Sequence, residues 1–292
     1  MLVTCDPCDA RRWTESTTSN RRVAIVPTMG ALHEGHLSLV RRARALADEV
    51  VVSIFVNPTQ FAPHEDLARY PRPIEDDLAM LEREGVAMVY SPSNDAIYPP
   101  GYSTFVEPPA VAEPLEGKLR PGHFRGVCTI VLKLFQTIPA AVAVFGQKDF
   151  QQALVVQAMV RDLDIPIHID VAPTIREPDG LAMSSRNRYL STEQRARSLC
   201  LSRALDACSQ LAQENERSLA SLESAMLDQL RPGQPDGADH VDYAVVVDRR
   251  TLHPVQQSIS WQASDLVALI AARLGSTRLI DNRLLHSPPM TL

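Results

Sequence analysis

The sequence predicts an α/β fold, a doubly wound parallel, Rossmann-like sheet followed by a second, smaller α+β domain. Short apolar runs alternate with helical patterns from Val23 to Val171, which is typical of parallel sheets with crossover helices. The composition changes after Pro173, where a long helical region precedes three further strand-like runs. A chain of 292 residues is long enough for two domains, which we place at residues 1–174 and 175–292.

The first predicted unit opens with the apolar run 23–26 and a turn at Met29-Gly30. Apolar residues then recur at helical spacing over 37–47, and the mostly β-branched run 50–56 is typical of a buried parallel strand. Further helices are predicted at 73–85, 127–138 and 149–163, and further strands at 86–90, 141–145 and 167–171. In the second domain we predict a helical region over 192–230 and strands at 241–247, 266–271 and 278–280.

Composition and charge limit the class of protein. Hydrophobic residues make up 45% of the chain and charged residues 22%, which is typical of a globular protein. The net charge is -6 and no basic block is present, so a broad nucleic-acid-binding surface is excluded. No apolar stretch approaches the roughly 18 residues of a membrane span, and residues 1–22 lack the apolar core of a signal peptide. We therefore expect a cytoplasmic protein without nucleic-acid or membrane partners.

Among the five cysteines, only Cys5 and Cys8 have the C-x-x-C spacing of zinc and redox sites. No second Cys or His pair completes a zinc set. Free thiols in a loose N-terminal segment are the favoured interpretation, and they fit a reducing compartment.

The segment PTMGALHEGH, residues 27–36, lies between the first predicted strand and the first helix, at the sheet edge where ligands bind. Gly30 and Gly35 permit close backbone approach, and the helix N-terminus offers free N–H donors to a phosphate. His33 and His36 share one face of the helix, so each imidazole can donate to a phosphate oxygen. The alternatives are a helix cap, a chance pair or a metal site. The register of strand, turn and helix favours phosphate binding, and no third metal ligand is nearby.

The H-x-G-H pattern resembles the adenylyl-transfer signature of the nucleotidyltransferase superfamily, and PTMGALHEGH resembles the corresponding segment of the pantoate–β-alanine ligase family. The resemblance spans about Arg22 to Leu190. Other segments that resemble the family are 53–61, 65–67, 70–72, 120–127, 145–152 and 179–187.

This resemblance implies an ATP-dependent ligase that condenses (R)-pantoate with β-alanine through a pantoyl-adenylate, and it implies Mg²⁺ and a homodimer formed through the N-terminal domain. It assigns ATP binding to Met29, Gly30, Ala31, Leu32, His33, Glu34, Gly35, His36, Gly146, Gln147, Lys148, Asp149, Ile175, Met183, Ser184, Ser185 and Arg186. It assigns pantoate and β-alanine binding to Gln60, Gln152, Thr28, Met29 and Asn57. The catalytic set is His36, His33, Lys148 and Arg186. Gln147 stands where the family has Glu, which puts a carboxylate contact there in doubt.

The chemistry of each residue type is compatible with these roles. The amide of Gln60 both donates and accepts, so it can hold a hydroxy acid. Lys148 precedes a helix N-terminus, where a cation is disfavoured unless an anion lies between them. Ser184, Ser185 and Arg186 can follow the leaving phosphates, although a helix cap with a solvated arginine explains them equally well from the sequence.

The resemblance also implies a magnesium ligand at Asp76, together with Gln152. Magnesium takes one or two carboxylates plus substrate phosphates, but acidic residues also stabilise a helix N-terminus without any metal. Both interpretations of Asp76 remain open at this stage.

The implied reaction is in-line attack of the pantoate carboxylate on the α-phosphorus of ATP, followed by attack of β-alanine on the adenylate. The family names His36 as a proton donor, but phosphate stabilisation is an equal alternative because a carboxylate nucleophile has no proton to lose. A dinucleotide-forming adenylyltransferase and a non-catalytic nucleotide sensor are rival functions. We expect Arg120, His123 and Arg125 to line the β-alanine entry or to support the dimer.

Overall fold

The computed structural model describes residues 1–62, 65–214, 218–255 and 265–285. The chain divides into two compact units, Met1–Pro173 and Thr174–Leu292. The strands of the first unit are β1 (Leu2–Thr4), β2 (Val23–Thr28), β3 (Glu49–Ile54), β4 (Met88–Tyr90), β5 (Val142–Gly146) and β6 (His168–Ala172). Its helices are α1 (Pro7–Thr18), α2 (Glu34–Leu46), α3 (Ile74–Arg83), α4 (Asn94–Ile97), α5 (Glu116–Leu119), α6 (His123–Thr137) and α7 (Phe150–Asp162).

The six strands form one parallel sheet in the order β1-β4-β3-β2-β5-β6. From β2 the chain proceeds outward through β3 and β4, then returns to the other side of β2 to form β5. The carboxyl ends of β2 and β5 therefore lie at the point where the strand order reverses, which is where doubly wound sheets bind ligands. The predicted doubly wound parallel sheet is confirmed.

Strand β2 shows why the sheet is covered on both faces. Val23, Ala24, Ile25 and Val26 are all fully buried. Because side chains alternate across a strand, Val23 and Ile25 join the core cluster that contains α6, whereas Ala24 and Val26 join the cluster that contains α2. A strand that is buried on both faces has a continuous apolar sequence, and this is the pattern that predicted it.

The second unit is a helical layer on a small antiparallel sheet. Its helices are α8 (Thr192–Arg197), α9 (Leu199–Gln213) and α10 (Leu219–Leu230), and its strands are β7 (His240–Asp248), β8 (Leu266–Leu274) and β9 (Thr277–Leu284). The sheet order is β7-β8-β9, with both pairs antiparallel. Leu205 and Met226 from the helices pack with Ile270 from β8 in one buried cluster. The predicted α+β character of this unit is confirmed.

The prediction of a loose N-terminal segment is wrong. Strand β1 pairs in parallel with β4, and Asp6 caps α1 by accepting a hydrogen bond from the Cys8 N–H at 2.7 Å. Ala10 of this helix is fully buried in the core of the first unit. An Asp followed by Pro at the first helical position is a helix start signal, and it is present in the sequence as Asp6-Pro7. Cys5 and Cys8 are exposed free thiols.

In the part of the chain that the structure describes, no helix is both long enough and apolar enough to cross a membrane.

Gly126 in α6 lies against the short 3₁₀ turn Pro58–Gln60. A Cβ at Gly126 would come within 2.5 Å of the Thr59 carbonyl oxygen and 2.8 Å of the Gln60 nitrogen, both of which are backbone atoms. This close approach fixes the distance between α6 and the segment that follows β3.

We expect Gly126→Ala to destabilise the first unit by about 1–3 kcal/mol, because overpacking against backbone outweighs the better helix propensity of alanine. Thermal melting of the purified protein measures this effect. Gln136→Ala, an exposed change in the same helix, should melt like the wild type to within about 0.5 kcal/mol. A Gly126→Ala protein that melts at or above the wild-type temperature would contradict the expected clash.

Candidate active site

The loop between β2 and α2 has an uncommon backbone. Gly30 and Ala31 both adopt left-handed conformations, with φ of 78° and 52°. Glycine tolerates this region freely, but for alanine it costs about 1–2 kcal/mol. Thr28 supports the turn because its hydroxyl donates to the Ser53 carbonyl at 2.8 Å and accepts from the Gly30 N–H at 3.2 Å. Such a conformation persists only where the surroundings determine it strongly.

A buried carboxylate holds this loop in place. Asp77, which is 1% exposed, accepts hydrogen bonds from the Ala31 N–H and the Leu32 N–H, one on each carboxylate oxygen, both at 2.8 Å. Asp77 lies four residues before the fully buried Leu81, on the inner face of α3. The spacing to Leu81 is the signal in the sequence for a buried carboxylate at this position, and a buried carboxylate needs hydrogen-bond donors.

The two histidines are brought together at the start of α2. His33 is the N-cap residue, and its Nδ1 accepts the Gly35 N–H at 3.1 Å. A neutral ring whose Nδ1 accepts carries its proton on Nε2, which is then the donor nitrogen. The ring centroids of His33 and His36 are 4.1 Å apart. Together with the N–H groups of the first helical turn, they form a site suited to an anion. Glu34, also predicted here, is exposed and pairs with Arg41.

The second predicted phosphate segment follows β5, the neighbour of β2. Gly146 ends that strand, and residues Gln147–Asp149 form a 3₁₀ turn that leads into α7. A Cβ at Gly146 would lie 3.9 Å from Leu39 of α2, so this segment runs beside the histidine helix. Lys148 is half-buried, with its Nζ 3.7 Å from the Asp149 carboxylate. Neighbouring strand ends therefore carry the histidines and the lysine, as the sequence predicts.

Gln60 lies in the 3₁₀ turn after β3, on the other side of β2. Its side-chain oxygen accepts from Asn57 Nδ2 at 3.2 Å, while its Nε2 lies 3.0 Å from the sulfur of Met29 in the histidine loop. Because the amide oxygen is engaged and a thioether is a weak acceptor, Gln60 presents its N–H₂ as a donor. A group of this kind suits a carboxylate or hydroxyl oxygen. The structure thus brings together three of the predicted acid-binding residues.

Asn57, only 1% exposed, anchors this turn. Its Oδ1 accepts from the Tyr98 hydroxyl at 2.8 Å and from the Thr59 hydroxyl at 3.0 Å, and its Nδ2 also donates to the Gly126 carbonyl at 3.2 Å. Burial raises the pKa of Tyr98. All the hydrogen-bonding atoms of the Asn57 amide are occupied by protein groups, so Asn57 orients Gln60.

Two adjacent glutamines at the start of α7 have different environments. Gln151 is buried and bonds to the Glu116 N–H at 3.1 Å and to the carbonyls of Val111 and Pro114. Gln152, the predicted substrate residue, is only half-buried. Gln151 therefore fixes the segment before α5, which leaves Gln152 as the glutamine suited to a ligand.

A buried polar chain lies behind Gln60. Its carbonyl oxygen accepts from His123 Nδ1 at 2.8 Å and from Arg120 Nη2 at 3.3 Å. Arg120 also donates to His123 Nε2 at 3.1 Å and to both carboxylate oxygens of Glu65, at 2.5 and 2.9 Å. Burial and the neighbouring Arg120 lower the pKa of His123 to about 4. Burial alone would raise the pKa of Glu65, but the hydrogen bonds from Arg120 lower it overall.

Arg125, which the sequence analysis grouped with Arg120 and His123, has different partners. Its guanidinium lies 4.0 Å from the centre of the Phe105 ring and 2.7 Å from the Glu107 carboxylate, and its side chain is 44% exposed. It is therefore a surface residue with local partners.

A cavity of about 490 Å³ opens beside the histidine loop, at the carboxyl ends of β3 and β4. Met29, Gly30 and Pro58 line one side, and Asp77 lies at its wall. A volume of this size accommodates a small organic molecule.

The remaining predicted nucleotide residues belong to the second unit. Ile175 and Met183 are paired through a backbone hydrogen bond of 3.0 Å across the turn 177–180. Ser184 caps the 3₁₀ segment Ser185–Tyr189 by accepting from the Arg186 N–H at 3.3 Å. The turn thus brings Ile175 beside Met183, and the cap is also what the simpler interpretation of Ser184 expects.

The predicted magnesium residue lies on the surface. Asp76 is exposed in the first turn of α3, whereas both oxygens of Asp77 accept backbone hydrogen bonds. Among the described residues, no group of three or more His, Cys, Asp and Glu side chains is arranged around a metal position. A magnesium ion held largely by phosphates and one carboxylate fits Asp76. The assignment to Asp76 and Gln152 stays a prediction.

The carboxyl ends of β2 and β5, where the strand order reverses, carry two histidines and a lysine. This arrangement is typical of an α/β protein that handles nucleotides, and the amide-lined turn beside it is suited to an acid. The sequence pattern described as Pantoate-beta-alanine ligase matches residues 3–284. The pantothenate synthetase of Rhodopirellula baltica is 54% identical over 277 residues, which cover 94% of this chain and 95% of that protein.

Solved structures that are similar to this chain belong to the same family. Pantothenate synthetase from Thermus thermophilus has a TM-score of 0.90 and 41% identity, covering 98% of this chain and 100% of that one. Pantoate-beta-alanine ligase from Francisella tularensis, complexed with beta-gamma ATP and beta-alanine, has a TM-score of 0.74 and 32% identity, covering 97% of each chain. The chain belongs to the pantoate-beta-alanine ligase family.

We expect Asp77→Asn to loosen the histidine loop, because an amide N–H₂ would face one of the two backbone donors. The loss of a buried charge-assisted bond should cost about 2–4 kcal/mol. Hydrogen exchange at the Ala31 and Leu32 amides should accelerate relative to the wild type. Asp95→Asn, an exposed acid at the start of α4, serves as the matched control. Unchanged protection of both amides would contradict the clamp.

The lowered pKa of His123 predicts a pH dependence of stability. The folded protein holds the ring neutral down to about pH 4, whereas an unfolded histidine protonates near its ordinary pKa of 6.5. The stabilisation is therefore complete above the unfolded pKa and is lost as the pH falls towards 4. Between pH 7 and pH 5 the loss should be about 2 kcal/mol.

Thermal melting of the wild type and of His123→Asn at pH 7 and pH 5 tests this dependence. The wild type should lose more stability than the variant over that interval. Parallel losses in the two proteins would show that His123 does not titrate in this way.

Proposed function

We propose that this protein is an ATP-dependent ligase that condenses (R)-pantoate with β-alanine to form pantothenate, releasing AMP and pyrophosphate. One observation carries the proposal: the Gln60 amide, oriented as a donor by Asn57, lies 3.0 Å from Met29 of the histidine loop. An acid-binding donor therefore adjoins an anion-binding helix start, which is the arrangement that activation of an acid by a nucleotide requires.

In the first step, a carboxylate oxygen of pantoate attacks the α-phosphorus of ATP. The new P–O bond forms the pantoyl-adenylate, and the bond from the α-phosphorus to the bridging oxygen breaks to release pyrophosphate. Gln60 and Gln152 hold the acid in position for this attack, and Thr28, Met29 and Asn57 shape the same end of the site. Positioning accounts for a large part of the rate in a reaction of this kind.

The cationic and N–H groups of the site stabilise the negative charge that develops on the phosphates. Residues Met29–His36 and Gly146–Asp149 of the first unit contribute here, with His33 donating through Nε2 and Lys148 supplying a compact ammonium. His36 acts as a phosphate stabiliser in this scheme, since the attacking carboxylate has no proton to lose. We retain Ile175, Met183, Ser184, Ser185 and Arg186 of the second unit as nucleotide contacts.

In the second step, the amine of β-alanine attacks the acyl carbon of the adenylate. The C–N bond forms, the bond from the acyl carbon to the phosphate oxygen breaks, and AMP leaves while the amine loses a proton. A bound Mg²⁺, held by Asp76 and Gln152 together with the phosphates, would neutralise negative charge.

The assembly and the cellular location complete the proposal. We propose a homodimer formed through the first unit, which light scattering of the purified protein tests. A cytoplasmic location is supported by five free cysteines, all of which lie in the described ranges.

We expect pyrophosphate release from Mg-ATP to require pantoate and to be sustained by β-alanine. His36→Ala should lower the rate by about 10²-fold or more, because a donor to the developing charge is lost. A coupled pyrophosphate assay measures both effects. His168→Ala changes an exposed histidine at the start of β6, at the amino ends of the strands and away from the carboxyl ends that carry the site, and should keep the wild-type rate.

Two results would contradict the proposal in different ways. Release that does not depend on pantoate would leave only a nucleotide-handling function. Transfer of AMP to a mononucleotide would instead identify an adenylyltransferase that keeps the nucleotide in its product.

A further inference from the structure

The start of α6 holds Gln60 from behind. The Gln60 carbonyl oxygen accepts two hydrogen bonds, from His123 Nδ1 at 2.8 Å and from Arg120 Nη2 at 3.3 Å. The side-chain oxygen of the same residue accepts from Asn57. With both of its oxygens held by the protein, Gln60 points the N–H₂ of its side chain at the histidine loop, where Nε2 lies 3.0 Å from the sulfur of Met29.

The hydrogen-bond partners of His123 determine its tautomer. A carbonyl oxygen can only accept, so Nδ1 must carry the proton that binds Gln60. A guanidinium can only donate, so Nε2 must be the unprotonated nitrogen that accepts from Arg120 at 3.1 Å. The ring is 8% exposed and its pKa is lowered to about 4, which keeps it neutral in this tautomer.

Arg120 is itself oriented by a carboxylate. Its Nε and Nη2 bind the two oxygens of Glu65 at 2.5 and 2.9 Å, and both side chains are 16% exposed. Glu65 Oε2 also accepts from the Ala62 N–H at 3.1 Å. The hydrogen bonds thus form one continuous chain, from the Glu65 carboxylate through the guanidinium and the imidazole to the Gln60 carbonyl.

We propose that His123 is a positioning residue for the acid substrate: its Nδ1–H, oriented by Arg120 and Glu65, fixes the Gln60 backbone so that the amide donor meets the substrate oxygen. This inference rests on the proposed function. Both ring nitrogens are engaged by protein groups, so His123 acts through Gln60 and does not contact substrate. This role is an alternative to the expectation that Arg120 and His123 line the β-alanine entry or support the dimer.

The effect should be selective for one substrate. Gln60 follows β3, whereas the second phosphate segment follows β5, on the other side of β2. A shift of the Gln60 backbone therefore misplaces the acid without moving Lys148. Misplacement by about 1 Å costs up to about a hundredfold in rate, because the reacting groups lose their alignment.

A pair of isosteric substitutions separates positioning from simple packing. The side-chain nitrogen of asparagine is bonded to Cγ, as Nδ1 of histidine is, so His123→Asn keeps a donor facing the Gln60 carbonyl. The terminal amide of glutamine lies one bond further from the backbone, where Nε2 of histidine lies, so in His123→Gln the amide oxygen accepts from Arg120 and the donor facing the Gln60 carbonyl is lost. The two variants have similar polarity but form hydrogen bonds with different neighbours: asparagine with the Gln60 carbonyl and glutamine with Arg120.

We expect His123→Asn to keep the Michaelis constant for pantoate within about threefold of the wild type, whereas His123→Gln should raise it by about tenfold or more. The Michaelis constant for ATP should be unchanged in both. Steady-state pyrophosphate release at varied pantoate and ATP measures all four values. Equal pantoate constants in the two variants, or a parallel change for ATP, would overturn the positioning role.

The failure of the inference is distinct from failure of the proposed function. If the wild-type protein releases no pantoate-dependent pyrophosphate, the proposed function is overturned. If the wild type ligates pantoate but the two variants have the same Michaelis constant for pantoate, only the inference is overturned. If His123→Gln does not fold, Arg120→Met tests the same chain, because the ring loses the donor that fixes its tautomer. A raised pantoate constant in Arg120→Met supports the proposal, and an unchanged constant overturns it.

Discussion

The arrangement of this site depends on one buried carboxylate. Asp77 accepts the N–H groups of Ala31 and Leu32 through its two oxygens, and so holds a turn in which two consecutive residues have positive φ. A buried charge without donors is costly, and a left-handed alanine is strained. The two hydrogen bonds offset both costs, because they satisfy the carboxylate and hold the loop in its strained conformation. The direction in which α2 starts, and with it the placement of His33 and His36, follows from this contact.

A second set of contacts fixes the other half of the site. Gly126 lets α6 approach the turn at Thr59 so closely that no side chain fits between them. Asn57 and the chain from Glu65 to His123 then hold both oxygens of Gln60. The histidine loop and the Gln60 turn follow adjacent strands, so the backbone of one sheet sets the distance between the proposed anion site and the proposed acid site. Few of these supporting residues are suited to touch a ligand, because their polar atoms are occupied.

The fold could be predicted because periodicity is a local property of the sequence. Strand β2 is buried on both faces and is continuous in apolar residues, whereas β1 has three residues, is exposed at two of them and carries no such pattern. Its pairing with β4 is a long-range contact, so the N-terminal prediction was wrong. The acidic pair in α3 shows the same limit. The resemblance implies a magnesium ligand at Asp76 and says nothing of Asp77, whose contact with the loop depends on how α3 packs.

The sequence alone determined the class of fold and the family, and it predicted the types of residue at the site, because these are encoded in short motifs and in their order. Tertiary structure decided which carboxylate is buried, which glutamine is structural and which nitrogen of His123 carries its proton. Asp77, Gln151 and His123 each bind a partner that lies between 35 and 63 residues away in the sequence. A local pattern can indicate that a side chain is buried, but it does not specify the partner, because these contacts form only when separate elements pack and buried polar groups must find partners.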